Sequence, residues 1–162
     1  MKRLLVLFSV IILLSEPALA IEKGAVTNLP LPRFVSLKAS KANARRGPSL
    51  SHRIDWVYKR KHMPLEIYAE YENWRRVRDI DGAGGWVHYS LLSGVRTAIM
   101  NVNMQPLTKG PDENSNIVAR FEKDVIAKIE KCELKWCQLT TSGYKGWVPK
   151  TSIWGVYDEE LR

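Results

Sequence analysis

The side chains that could carry out chemistry in this sequence are few and poorly grouped. His52, His62 and His88 are the only histidines. None has the spacing that would pair it with a Ser or Cys nucleophile or with a second metal ligand. Asp79 and Asp81 could be read as paired carboxylates, but Asp81 precedes Gly82, and Asp-Gly is the signature of a tight turn. Gly82-Ala83-Gly84-Gly85 is glycine-rich but opens no helix, so it lacks the helix N-terminus that cradles a phosphate. A nucleophile, its base and an oxyanion donor cannot be assembled from these residues. The chain is therefore expected to be no enzyme, and to need no cofactor and no metal.

Cys132 and Cys137 are the only cysteines. Their spacing is not CxxC, and no histidine lies nearby to complete a zinc site. Within KIEKCELKWCQL they flank a short turn between two strand-like runs. A bridge across it would close a loop of six residues, worth about 2 kcal/mol by loop-closure entropy. A structural disulfide is the expected use in an oxidising compartment.

The N-terminus points to such a compartment. Lys2 and Arg3 precede the apolar run of residues 4–14, and Ala18-Leu19-Ala20 supplies a small-x-small cleavage pattern. Together they predict a cleavable signal peptide over residues 1–20. The run is well short of the ~20 apolar residues of a membrane-spanning helix. No cysteine follows the cleavage pattern, so a lipoprotein anchor is not expected. The mature chain is expected to begin near Ile21, to be periplasmic or secreted, and to carry no integral membrane segment.

Charge is distributed unevenly. Residues 33–97 carry 13 Lys/Arg against 6 Asp/Glu, whereas residues 98–162 carry nine of each. A basic surface attracts polyanions, or simply keeps a protein soluble. Export argues against nucleic acid as the natural partner.

The elements that must position any site are organised as a repeat, offset by about 61 residues. One copy includes Pro64 to Gly94 and the other Asp124 to Gly155. Trp74 falls against Trp136, Gly85-Trp86-Val87 against Gly146-Trp147-Val148, and Gly94 against Gly155. Upstream, Ala44-Arg45-Arg46-Gly47-Pro48 falls against Leu107-Thr108-Lys109-Gly110-Pro111. Leu65, Ile67, Ala69 and Tyr71 alternate with Glu66, Tyr68 and Glu70, the period of a half-buried strand. Asp81-Gly82 marks a hairpin turn. The mature chain shows no helical stripe. The expected fold is all-β, two small barrels in tandem.

The sequence W-R-x-V, D-G-x-x-G-W-V, S-L-L-S-G, standing as Trp74 to Gly94, resembles the bacterial SH3-like domains of envelope proteins. Over about residues 33–157 the chain is similar to an alphaproteobacterial family of exported tandem SH3-like proteins, in whose second repeat Trp136-Cys137 and Cys132 also fit. The resemblance implies two tandem SH3-like β-barrels, over residues 34–97 and 98–157. Residues 21–33 would be a proline-containing linker, and residues 158–162 a tail. Relatives of the single domain target cell-wall enzymes to peptidoglycan, which makes envelope binding the leading functional expectation.

Strand phase suggests where a ligand would sit. With Val77 facing the core, Arg75 and Asp79 share its phase, and Trp74, Arg76 and Arg78 face outward. Trp136, Gln138 and Thr140 likewise face outward, with Cys137 and Leu139 inward. Trp74 and Trp136 are thus expected to be exposed, and Trp86 and Trp147 to be buried. The candidate ligand-binding residues are Trp74, Arg76, Arg78, Trp86, Tyr89, Trp136 and Trp147, since aromatic and Arg side chains dominate binding hot spots.

The proline groove of eukaryotic SH3 domains is matched in part. Trp74 and Trp136 stand at its first tryptophan, and Pro149 at its proline. His88 replaces that proline in the first copy, and Leu91 and Ser152 replace its tyrosine. Leu29-Pro30-Leu31-Pro32-Arg33 favours extended polyproline geometry and reads as a stiff spacer, or less readily as a ligand for a groove in the same chain. The expected partner is a cell-wall polymer or an envelope protein; a nonspecific polyanion is the third reading. Oligomeric state is not legible in the sequence.

Overall fold

The computed structural model describes residues 22–162, and the proposed signal peptide of residues 1–20 lies outside them. The first repeat forms β1 (Arg33–Leu37), β2 (Ala42–Arg45), β3 (Ile54–Tyr58), β4 (Pro64–Tyr71), β5 (Trp74–Arg78), β6 (Gly84–His88) and β7 (Leu92–Ser93). The second forms β8 (Thr97–Met100), β9 (Gln105–Thr108), β10 (Ile117–Phe121), β11 (Ile126–Cys132), β12 (Trp136–Thr141), β13 (Tyr144–Pro149) and β14 (Ile153–Trp154). A single 3-10 turn precedes the last strand of each repeat. No helix among the described residues is long and apolar enough to cross a membrane.

The sheets run β3-β2-β6-β5-β4-β1-β7 and β10-β9-β13-β12-β11-β8-β14. Each strand of the second occupies the place of its counterpart in the first, so the sequence repeat is a repeat of topology. Each sheet curls around its own core. Leu37, Ala42, Ala44, Tyr58, Leu65, Ile67, Val77 and Val87, drawn from six strands, form one buried cluster. Met100, Leu107, Phe121, Ile129, Cys137, Leu139 and Val148 form the other. Only a closed or nearly closed sheet can bring strands so far apart in its order onto one core.

Turn chemistry follows the residues. Asp79 Oδ1 accepts from the Asp81 and Ala83 amides at 3.1 and 2.8 Å, and Gly82 takes φ +80°. Between β12 and β13, Ser142 and Gly143 both have positive φ (50° and 83°), as a two-residue hairpin loop twisted to suit its strands requires.

The inward facing expected along β4 holds only to Ile67, and Glu66, expected on the open side, is itself buried where Tyr157 meets it. Register slips between Ile67 and Ala69 against β5, making Tyr68 a bulge residue. The phase then reverses: the Glu70 side chain is enclosed and Tyr71 is exposed. The same slip between Ile129 and Lys131 makes Glu130 the extra residue of β11 and turns Cys132 inward.

The proline-containing segment is neither a free spacer nor a groove ligand. It folds back on itself, with Gly24 N–H donating to Leu29 O at 2.8 Å and Leu31 N–H to Glu22 O at 2.8 Å. Leu31 joins the first core. The C-terminal residues are also anchored, since Arg162 and Cys132 exchange backbone hydrogen bonds of 3.0 and 2.9 Å.

The barrels pack together through β1 and β4 of the first and the end of the second. Phe34 meets Trp154 edge-on at 4.9 Å and Tyr157 at 4.7 Å. The Tyr157 hydroxyl donates to Glu66 Oε1 at 2.9 Å, and the Thr97 hydroxyl to His62 O at 2.7 Å. Arg96, between the barrels, donates to both Glu160 carboxylate oxygens at 2.7 and 2.9 Å and to Gly155 O at 2.7 Å.

Candidate binding clefts

Two clefts share their central positions in the two barrels, although β2 residues line only the first and Leu134, Lys135 and Asp158 only the second. The first, about 300 Å³, has Trp74 and His88 at its base and is walled by Asn43, Leu50 and Leu91. The second, about 380 Å³, has Trp136 and Pro149 at its base and is walled by Glu113, Leu134 and Thr151. Strand register makes the equivalence specific, because Trp74 pairs with His88 as Trp136 pairs with Pro149. Leu50 and Glu113 each lie two residues past the Gly-Pro of their loop. Of the positions that match or replace SH3-groove residues, the fold gathers Trp74, His88 and Leu91 in the first cleft and Trp136 and Pro149 in the second.

The exposure expected of Trp74 is corrected: the residue is 8% exposed. Although it lies in outward phase, the neighbouring His88 ring meets it edge-on at 5.5 Å, and the cleft walls cover the rest. Trp136 is half-buried rather than open. Trp147 is buried as expected, with the Lys131 ammonium 5.4 Å from its ring centroid. Trp86, expected to be buried, is only half-buried and lies between Arg45 and Arg76 across the sheet.

The candidates of the first barrel fall into two groups. Trp74 and Tyr89 belong to the cleft end, where His88 stacks on Tyr89 at 5.0 Å and the Arg75 guanidinium lies 5.9 Å from the Tyr89 ring. Arg76, Arg78 and Trp86 belong to the outer sheet face. There Arg76 and Arg78 lie 5.3 and 5.6 Å from the Tyr68 ring, not beside Trp74. Arg78 also pairs with Glu66.

The hairpin that presents each cleft tryptophan is braced at the same cross-strand position by different chemistry. In the second barrel Cys132 on β11 faces Cys137 on β12, and the two form a disulfide. In the first, Glu70 on β4 faces Arg75 on β5, with Arg75 Nε 3.5 Å from the carboxylate and both side chains enclosed. Glu70 also accepts from the Thr27 hydroxyl at 2.7 Å, from the Thr27 and Val26 amides at 2.9 and 3.1 Å, and from Arg33. Burial alone would raise its pKa, but the bonds from Thr27, Arg33 and Val26 outweigh burial and bring it down to about 2. The same carboxylate thereby holds the folded-back N-terminal segment. Glu70 was read as an outward strand residue because a single extra residue at Tyr68 is invisible to a period of two. Its alignment with Cys132 in the repeat was the available signal.

A family model described as the bacterial SH3 domain matches residues 38–94 and again residues 101–155. No curated protein matches the chain. Two solved structures from Trichomonas vaginalis are similar at low identity. NlpC2 is 14% identical over 76% of this chain and 48% of its own, with a TM-score of 0.36. NlpC1 is 15% identical over 84% of this chain and 50% of its own, with a TM-score of 0.36. The chain thus spans about half the length of each. With two family matches that together cover most of the chain, each falling on one barrel, the chain belongs to the bacterial SH3 domain family.

Proposed function

We propose that the chain is a non-catalytic, exported binding module that grips peptidoglycan, or another component of the cell envelope, through the Trp74 and Trp136 clefts. The observation that carries this reading is the correspondence of three lining positions, Trp74, His88 and Leu50 in the first cleft standing where Trp136, Pro149 and Glu113 stand in the second. Volumes of about 300 and 380 Å³ fall at the small end of ligand sites, suitable for a sugar or a short peptide stem. Membership of the bacterial SH3 family supports the envelope, and the Cys132–Cys137 disulfide supports an oxidising compartment. The clefts would differ in preference, since Leu50 and His88 in the first stand where Glu113 and Pro149 stand in the second. Sedimentation with isolated sacculi tests the reading. Trp74→Ala and Trp136→Ala should each reduce retention and together abolish it, at low and at moderate salt. Undiminished retention of the double variant would overturn the proposal.

A second reading, a periplasmic scaffold for another protein, is favoured by the sheet-edge strands. Ile54 and Trp56 on β3 and Ile117 and Val118 on β10 are exposed apolar residues at the ends of their sheets, and such edges recruit further strands. Crosslinking in cells that recovers no protein partner would count against it.

A further inference from the structure

The first barrel carries a second concavity, on the outer sheet face and separate from the Trp74 cleft. It measures about 350 Å³ and lies over Gly84 and Gly85 at the start of β6, walled by Arg45, Arg46, Arg76 and Tyr68 and by one carboxylate, Asp55, with a mainly polar lining. No side chain rises from the floor, and at Gly85, where φ is +151°, a Cβ would meet Arg45 O at 2.6 Å. Its arginines are not equally free. Arg46 is paired with Asp55 at 3.0 Å, and Arg45 donates to the Leu50 and His52 carbonyls at 2.9 and 2.7 Å. Arg78, just outside, is held by Glu66. Arg76 is exposed and has no ion pair among the described residues; its guanidinium is placed by stacking against Tyr68, itself 36% exposed.

The other barrel is an internal comparison with the same backbone. By register, Tyr68 corresponds to Glu130, Arg76 to Gln138, Gly84 to Lys145 and Arg45 to Thr108. There the arginine is replaced by a neutral amide and the aromatic by a carboxylate that accepts from Lys128 at 3.1 and 3.2 Å. The floor position of Gly84 carries a lysine side chain. An unpaired guanidinium, an aromatic face beside it and a bare floor occur together only in the first barrel. That combination suits a planar anionic group attached to a ring that can lie on an aromatic face.

We infer that this cleft is an anion-binding site for acidic polysaccharide, with Arg76 holding a sugar carboxylate and Tyr68 carrying the face of the ring. It is independent of the wall-binding reading and uses neither cleft tryptophan. Titration of the purified protein with polygalacturonate tests it, with dextran as the uncharged polymer and phosphatidylglycerol vesicles as an anionic surface without sugar. The parent should bind polygalacturonate and not dextran. Arg76→Gln and Tyr68→Glu, which install the residues of the second barrel, should each weaken binding about tenfold, the usual effect of losing one charge-assisted contact. Lys128→Ala, a charge removal on the other barrel, should leave binding unchanged. Thermal melting of each variant shows that the fold is retained, and Arg76→Lys, which keeps the charge and loses the fork, should lie between parent and Arg76→Gln. Three results would overturn the inference: no binding of polygalacturonate, an equal loss in Lys128→Ala, or tighter Arg76-dependent binding to the vesicles.

Discussion

Replacing Glu70 by Gln should loosen the Trp74 hairpin and release the N-terminal segment together. The side chain is fully enclosed, and its carboxylate serves Thr27, Val26, Arg33 and Arg75 at once. Its pKa falls from an ordinary 4.5 to about 2 because the hydrogen bonds from Thr27, Arg33 and Val26 overcome the cost of burial. At about 1.4 kcal/mol per tenfold, that difference corresponds to about 3 kcal/mol of stability held by the ionised form. The folded value lies below the unfolded one, so this contribution is complete above about pH 5 and fades as the pH falls through 4.5 towards 2. The Gln variant keeps the shape but leaves Arg33 and Arg75 without a counter-charge, a loss also of about 3 kcal/mol for an enclosed pair. Urea unfolding at neutral pH should show that loss. Hydrogen exchange should show faster exchange at the Gly24 and Leu31 amides, and the variant's stability should fall less steeply than the parent's between pH 5 and 2, the remaining slope belonging to carboxylates such as Asp55 and Glu130. A variant as stable as the parent, with the same acid dependence, would refute the assignment of Glu70 as the brace.

Two further perturbations test the other supports. Cys132→Ser/Cys137→Ser removes the disulfide that takes the place of the Glu70–Arg75 pair, and should cost about 2 kcal/mol by loop-closure entropy, seen as a lower urea midpoint under oxidising conditions. A reducing agent should have the same effect on the parent and none on the variant. Glu160→Ala leaves Arg96 enclosed at the junction without its carboxylate, which should cost about 3 kcal/mol. Calorimetry should then show two transitions where the parent is expected to show one, as the barrels uncouple.

The all-β class and the repeat were legible because they rest on signals of short range: turn dipeptides, alternation, and paired Gly-Trp-Val segments. Val77, Cys137 and Leu139 face the core as their phase requires. What was not legible depends on single-residue irregularity and on contacts distant in sequence. The bulge at Tyr68 reverses the phase of β4 and brings Glu70 inward, and no local pattern marks it. Trp74 is covered by groups from β2, β6 and the following turn, so outward phase did not mean exposure. The Pro30–Pro32 segment looked like a spacer because its clamp, Glu70, lies some 40 residues further along the chain. The charge excess of the first repeat was visible, but its meaning was not. Arg33, Arg46, Arg53, Arg75, Arg78 and Arg96 are taken up by carboxylates within the chain, whereas Arg76 is not.

The most direct test of the central claim is amide and indole chemical-shift mapping of the isotope-labelled protein titrated with soluble peptidoglycan fragments. The account predicts saturable shifts of the Trp74 and Trp136 indole N–H signals, with His88, Leu91 and Thr151 moving alongside them and Trp147 unmoved. Shifts confined to the β3 and β10 edges, or no shifts at saturating fragment, would contradict it.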